Sequence, residues 1–186
     1  MNCRVRTARR ALRLAVPAWL IVCLVSLFAC ASGGSAATRP WPPARIPAWP
    51  CRLVVKPTLL GVVADGWERS ATFRRQCREL ALAKAVVELK WGHLDSQSRA
   101  VTEMGVDTDG VLVARVSIPP VSEALELIAH ELEHLLEKAS GLDYISEAKR
   151  PGSGVWRAFG GFETQRAIDA GRRVRAELRN NPPPRR

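Results

Sequence analysis

The sequence predicts an α+β fold in which a small mixed or antiparallel sheet packs on one long helix and on a C-terminal helix. Three observations carry this expectation. Apolar residues alternate with period two in short runs at 86–91 and 101–118. They recur at helical spacing over 70–82, 122–140 and from 163 onward. No internal repeat links these runs, and at 186 residues, 47% of them hydrophobic, the chain holds one domain's worth of core-forming material.

The 28 Lys and Arg against 18 Asp and Glu, a formal charge of +10, invite a nucleic-acid reading until the charge is located. It lies at the two ends. Residues 1–30 carry five arginines and no acid, and residues 172–186 carry six arginines against Glu177. Residues 31–171 hold 17 basic and 17 acidic groups, a neutral body that counts against a nucleic-acid-binding core.

Residues 1–30 read as an export signal: Arg4, Arg6, Arg9, Arg10 and Arg13 precede an apolar run from Leu14 to Ala29, and small residues follow to Ala37. Several readings stay open. Ala29-Cys30-Ala31 or Ser35-Ala36-Ala37 suits an ordinary signal peptidase, whereas Leu27-Phe28-Ala29-Cys30 has the form of a bacterial lipobox and would lipidate Cys30, though Phe28 is bulky for one. An uncleaved membrane anchor is a further reading, although a spanning helix wants about 20 apolar residues. Arg9-Arg10 has a faint twin-arginine character. Each reading takes the body out of the cytoplasm, to periplasm, cell envelope or medium. In that oxidising setting the remaining pair, Cys51 and Cys77, is most simply a disulfide. Closing a loop of that length is worth roughly 3 kcal/mol. The alternative makes one of the two a nucleophile or metal ligand.

Residues 31–50 form a Pro-rich tether, with Pro40, Pro42, Pro43, Pro47 and Pro50 excluding helix and central strand, and with Trp41 and Trp49 available to dock it. The globular domain is expected over 51–180 and a Pro/Arg tail over 181–186. Within the domain, Leu53–Val55 is a strand, and Ser70–Leu82 a helix with Phe73, Cys77, Leu80 and Ala81 at helical spacing. Val86–Trp91 is the next strand. Val101–Met104 and Val111–Ile118 are hairpin partners flanking Asp107-Thr108-Asp109-Gly110, with Leu112, Ala114, Val116 and Ile118 on one face. Pro119-Pro120 end that strand. Ser122–Ser140 is the longest clear helix, stopped by Gly141.

That helix contains His130-Glu131-Leu132-Glu133-His134, an H-E-x-x-H motif that uses two of the three histidines in the chain. On a helical wheel Ile128, Leu132, Leu135 and Leu136 form one stripe, and both histidines fall on another side, directed into a cleft. Four residues apart, the two imidazoles lie one turn above each other and can reach one ion. Imidazole nitrogen suits zinc, and Glu131, rotated off the histidine face, can reach a metal-bound water without displacing it. Glu133, Glu126 and Glu137 are expected as a solvated acidic flank. Residues 121–147 hold seven acids against Lys138, a local surplus where a divalent cation would go.

At these residues the chain resembles the zincin metallopeptidases, and small exported bacterial proteins that share H-E-L-x-H. The resemblance implies a zincin-like fold, Zn2+ as cofactor, His130 and His134 as ligands, Glu131 as general base, and Gly110–Ile118 as the edge that holds extended substrate. The charged Glu133 departs from the usual pattern. A catalytic site needs a third protein ligand. With no further downstream histidine, the candidates are Asp143, Glu147, Glu163 and Asp169. Glu163 stands out because it follows Gly160-Gly161-Phe162 and opens a helix whose packing side is Ala167, Ile168, Gly171, Val174 and Leu178. This stretch looks like the third-ligand helix of gluzincins. Asp169 is a candidate to orient a ligand, and Tyr144 or His93 to stabilise an oxyanion.

The function expected on this reading is zinc-dependent hydrolysis of peptide or protein substrates outside the cytoplasm, with membrane attachment through the N-terminus or Cys30 and no nucleic-acid partner. The alternative is a catalytically weak or inactive module that holds metal or peptide, and a third reading is a purely structural envelope domain. The C-terminal arginines suit anionic lipid or wall polymer better than nucleic acid.

Overall fold

A computed structural model describes residues 2–4, 49, 51–94, 99–158 and 161–183. The expected export signal and tether therefore lie outside the described residues, except for Asn2–Arg4 and Trp49, which packs against the core. Among the described residues no helix is long and apolar enough to cross a membrane.

The architecture is mixed α+β. The strands are β1 (Asn2–Arg4), β2 (Arg52–Val55), β3 (Val86–Trp91), β4 (Val101–Val106) and β5 (Leu112–Ile118), in the order β1-β4-β5-β3-β2. β2, β3 and β5 run parallel, β4 is antiparallel to β5, and β1 lies parallel to β4. The β4–β5 hairpin forms as the turn chemistry predicts. Asp107 Oδ1 accepts from the backbone of Asp109 at 2.9 Å and Val111 at 2.8 Å, and Gly110 takes the positive φ, 78°, that closes the turn. Leu112, Val116 and Ile118 are buried, as alternation requires. One expectation is corrected. β5 is no edge, because β3 and β4 pair with both of its sides; the terminal strand on that flank is β1, which pairs with β4 over Val101–Glu103.

Helix α1 (Leu60–Arg69), unassigned in the sequence, is obscured by Gly61 and Gly66. Gly66 is required by packing, since a Cβ there would stand 2.7 Å from Leu125 Cδ1. Helix α2 (Ala71–Leu82) starts at Ser70, whose side chain accepts from Phe73 N at 3.0 Å. Helix α3 (Ala124–Ala139) carries the motif and ends at Ser140, with Gly141 at φ 85°. After the short α4 (Tyr144–Glu147) comes a hairpin of β6 (Val155–Ala158) and β7 (Gly161–Thr164), then α5 (Gln165–Asn180). Ala167, Gly171 and Val174 are buried on α5. A Cβ at Gly171 would lie 3.0 Å from the carbonyl of Glu126, so the small residues of α5 let it approach the motif helix closely, as their pattern predicts.

The core runs between the sheet and the helices through Leu53, Phe73, Leu89, Val116, Ile118, Ile128 and Leu132. It also holds Cys51 and Cys77 as two buried thiols. Their mutual hydrogen bond lowers the thiol of Cys51 and, helped by burial, raises that of Cys77.

Glu177 on α5 ties the last helix to α2. Its carboxylate accepts from Thr72 Oγ1 at 2.8 Å, from Thr72 N at 3.1 Å and from the Ser70 hydroxyl. Burial opposes its ionisation, yet these donors hold it below the ordinary glutamate value. A carboxylate with a depressed folded pKa adds stability above the unfolded value of about 4.3 and loses it as pH falls through the folded one. Glu177→Ala is therefore expected to cost about 1–2 kcal/mol at pH 7 in urea unfolding, and the deficit should shrink below about pH 4.

Candidate metal centre

The fourteen residues Ala124–Glu137 present every face of α3 to other elements, and all but Glu126 are buried. The histidines do lie off the aliphatic stripe, but not in an open cleft. His130 and His134 are 2% and 1% exposed, on the side covered by α5, β7 and α4. Nor is the acidic flank solvated. Glu133 is 1% exposed and its carboxylate accepts from Arg75 Nη2 at 2.7 Å, Gln76 Nε2 at 2.8 Å and Arg166 Nε at 2.5 Å. Burial opposes its ionisation, but Gln76, Arg75 and Arg166 lower its pKa, and the charge that departs from the zincin pattern is thereby neutralised by helices α2 and α5. The wheel placed these glutamates correctly around α3; it could not show what packs there.

Of the four carboxylates considered as third partners, only Glu163 meets the histidines. It sits on β7 rather than at a helix start, one residue before Thr164, whose side chain caps α5 by accepting from Ala167 N at 3.0 Å. Asp143 caps α4, Glu147 pairs with Arg150, and Asp169 accepts from Gln165 Nε2 at 2.9 Å on the outer side of α5. The two histidine Nε2 atoms are 3.1 Å apart, and Glu163 Oε1 is 3.2 Å from one and 3.3 Å from the other. Three donors at nearly equal spacing form a triangle. A tetrahedral ion with bonds of about 2.0–2.1 Å holds its ligand atoms about 3.3–3.4 Å apart, so this triangle needs almost no adjustment to become one face of such a site. His130, His134 and Glu163 together could hold a metal ion.

The electrostatics agree with that capacity. Burial disfavours a charged His134, but Glu137 and Glu163 as hydrogen-bond partners, with Glu131 nearby, push it up to about 10. Burial likewise opposes ionisation of Glu163, and the two imidazoles pull it down to about 2. A cation in the midst of the cluster, either a proton on His134 or a metal that takes its place, therefore balances the buried carboxylate of Glu163.

The remaining site residues divide. Glu131 is buried and accepts a hydrogen bond from Thr102 Oγ1 on β4 at 2.6 Å. Tyr144 lies behind His134, donating to its carbonyl at 2.9 Å with Glu137 Oε2 as a further acceptor at 3.2 Å, and it stacks on Phe162. His93 is exposed in the coil after β3. Three residues escaped sequence reasoning: Thr102, Glu137 and Thr164. Glu137 had a legible signal, since a residue three beyond His134 shares its helix face. Thr102 had none, because its relation to Glu131 is made only by the packing of β4 on α3. No family model, no curated protein and no solved structure matches this chain.

Proposed function

We propose that this protein is an exported zinc-dependent peptidase, and the observation that carries the reading is the triangle of His130 Nε2, His134 Nε2 and Glu163 Oε1 beside a buried Glu131. Two imidazoles and one carboxylate form a donor set suited to zinc, and His130, His134 and Glu163 would hold the ion. Bound there, zinc supplies a Lewis acid and lowers the pKa of water towards about 7. Glu131, about 100° round the helix from His130, is the general base. Thr102 fixes its Oε2, and Oε1 is the oxygen assigned to take up a proton and return it to the leaving amine. Cys51 and Cys77, whose side chains share a hydrogen bond, are oxidised to a disulfide after export by exchange with an external disulfide, which takes up the two electrons and two protons.

A second reading is favoured by the burial of the cluster: a module that holds metal tightly without turnover. Cleavage of any member of a broad peptide library would overturn it. The metal itself is tested first. Protein purified without chelator is expected to hold one zinc per chain, and stripping the zinc is expected to lower the melting temperature by roughly 10 °C, restored on re-addition. Absence of bound metal, with no affinity for added zinc, overturns both readings.

A further inference from the structure

We infer that Glu137 is a positioning residue for the metal centre, and that the junction between β7 and α5 holds it in place to aim His134. The inference rests on the reading of His130, His134 and Glu163 as ligands. Glu137 is 3% exposed, and each of its two oxygens has an assigned task. Oε2 lies 3.1 Å from His134 Nδ1, and Oε1 accepts from Thr164 Oγ1 at 2.8 Å. Oε2 also accepts from Tyr144 and Oε1 from Thr164, so both oxygens already serve as acceptors and the His134 ring is placed to donate from Nδ1. The lone pair of a neutral His134 is then on Nε2, the atom that faces His130 and Glu163.

The support is redundant. Tyr144 brings its hydroxyl to the same Oε2 while bonding the carbonyl of His134, so ring and backbone of that residue are held from one side. Thr164 uses both capacities of one hydroxyl, donating to Glu137 and accepting from Ala167 N at the start of α5. Its own N–H meanwhile donates to Glu163 Oε1 at 2.8 Å. One residue therefore sets the third donor, the orienting carboxylate and the helix cap. A ligating histidine whose other nitrogen is held by a carboxylate has a fixed tautomer and ring angle and a more basic donor atom.

The test uses the full exported chain, with zinc as probe in chelator competition at constant pH. Glu137→Ala is expected to weaken zinc affinity by about 10–100-fold, and Glu137→Gln by roughly tenfold, because an amide carbonyl still accepts from Nδ1 but lacks the charge. Nitrogen-15 spectra of the histidine rings supply a readout that a merely structural role would not move. Zinc-loaded wild type and Glu137→Gln should show the His134 Nδ1 proton held in a hydrogen bond, shifted downfield and slow to exchange with water, and zinc-loaded Glu137→Ala should keep that proton but lose the shift and the protection. Should Glu137→Ala not fold, Glu137→Gln and Tyr144→Phe carry the affinity test, the latter with a loss of a few-fold. Wild type that binds no zinc overturns the reading beneath the inference. Wild-type affinity in the folded Glu137 variants overturns the inference alone.

Discussion

Glu163→Ala is expected to weaken zinc binding by about 10²–10³-fold, while Asp143→Ala and Asp169→Ala leave it unchanged. The size follows from sharing. A structural zinc site in a small domain gains about 10–16 kcal/mol over four ligands, so one ligand is worth roughly 3–4 kcal/mol, and each 1.4 kcal/mol is a factor of ten. The selectivity follows from position. Glu163 Oε1 is 3.2 and 3.3 Å from the two imidazole nitrogens, whereas Asp143 caps α4 and Asp169 pairs with Gln165 on the outer side of α5. Chelator competition on the three variants checks this, with the metal-dependent part of the melting temperature as a second measure. Equal losses in Asp143→Ala would show that charge near α3, rather than ligation by Glu163, governs affinity.

On the proposed peptidase reading, Glu131→Gln is expected to lower peptide hydrolysis by about 10²–10⁴-fold with zinc still bound one to one. Glutamine matches glutamate in size, and its carbonyl can still accept from Thr102 Oγ1, which lies 2.6 Å from Oε2 in the wild type. What it loses is the ability to take a proton. Because Glu131 is outside the donor triangle, metal content separates its role from that of the ligands. Cleavage measured beside zinc analysis on the same preparation decides it. A variant that retains zinc and also retains activity would remove Glu131 from the chemistry.

The fold was legible where residues act on near neighbours. Period-two runs found β3, β4 and β5, Asp107 and Gly110 announced the hairpin turn, and Ser70 the start of α2. Helix α1 stayed hidden because Gly61 and Gly66 depress its propensity, and its stability comes from packing, with Leu125 filling the space at Gly66. β6 and β7 stayed hidden for a related reason: as short strands, four residues each, they depend on one another more than on any pattern within either.

For the centre itself, the amino-acid sequence alone determined that two histidines share one helical face and that Glu131 is turned away from them, since both follow from 3.6 residues per turn. It also singled out Glu163. The tertiary structure decided everything that crosses between elements. It closed the histidine face beneath α4, β7 and α5, and turned an expected solvated flank into a buried one in which Arg75 and Arg166 neutralise Glu133 and Glu137 backs His134. It also paired Thr102 with Glu131 across the sheet–helix interface. The physical reason is range: helical periodicity is set by bonds among residues three and four apart, whereas burial and charge pairing are set by whichever distant segment arrives to pack there.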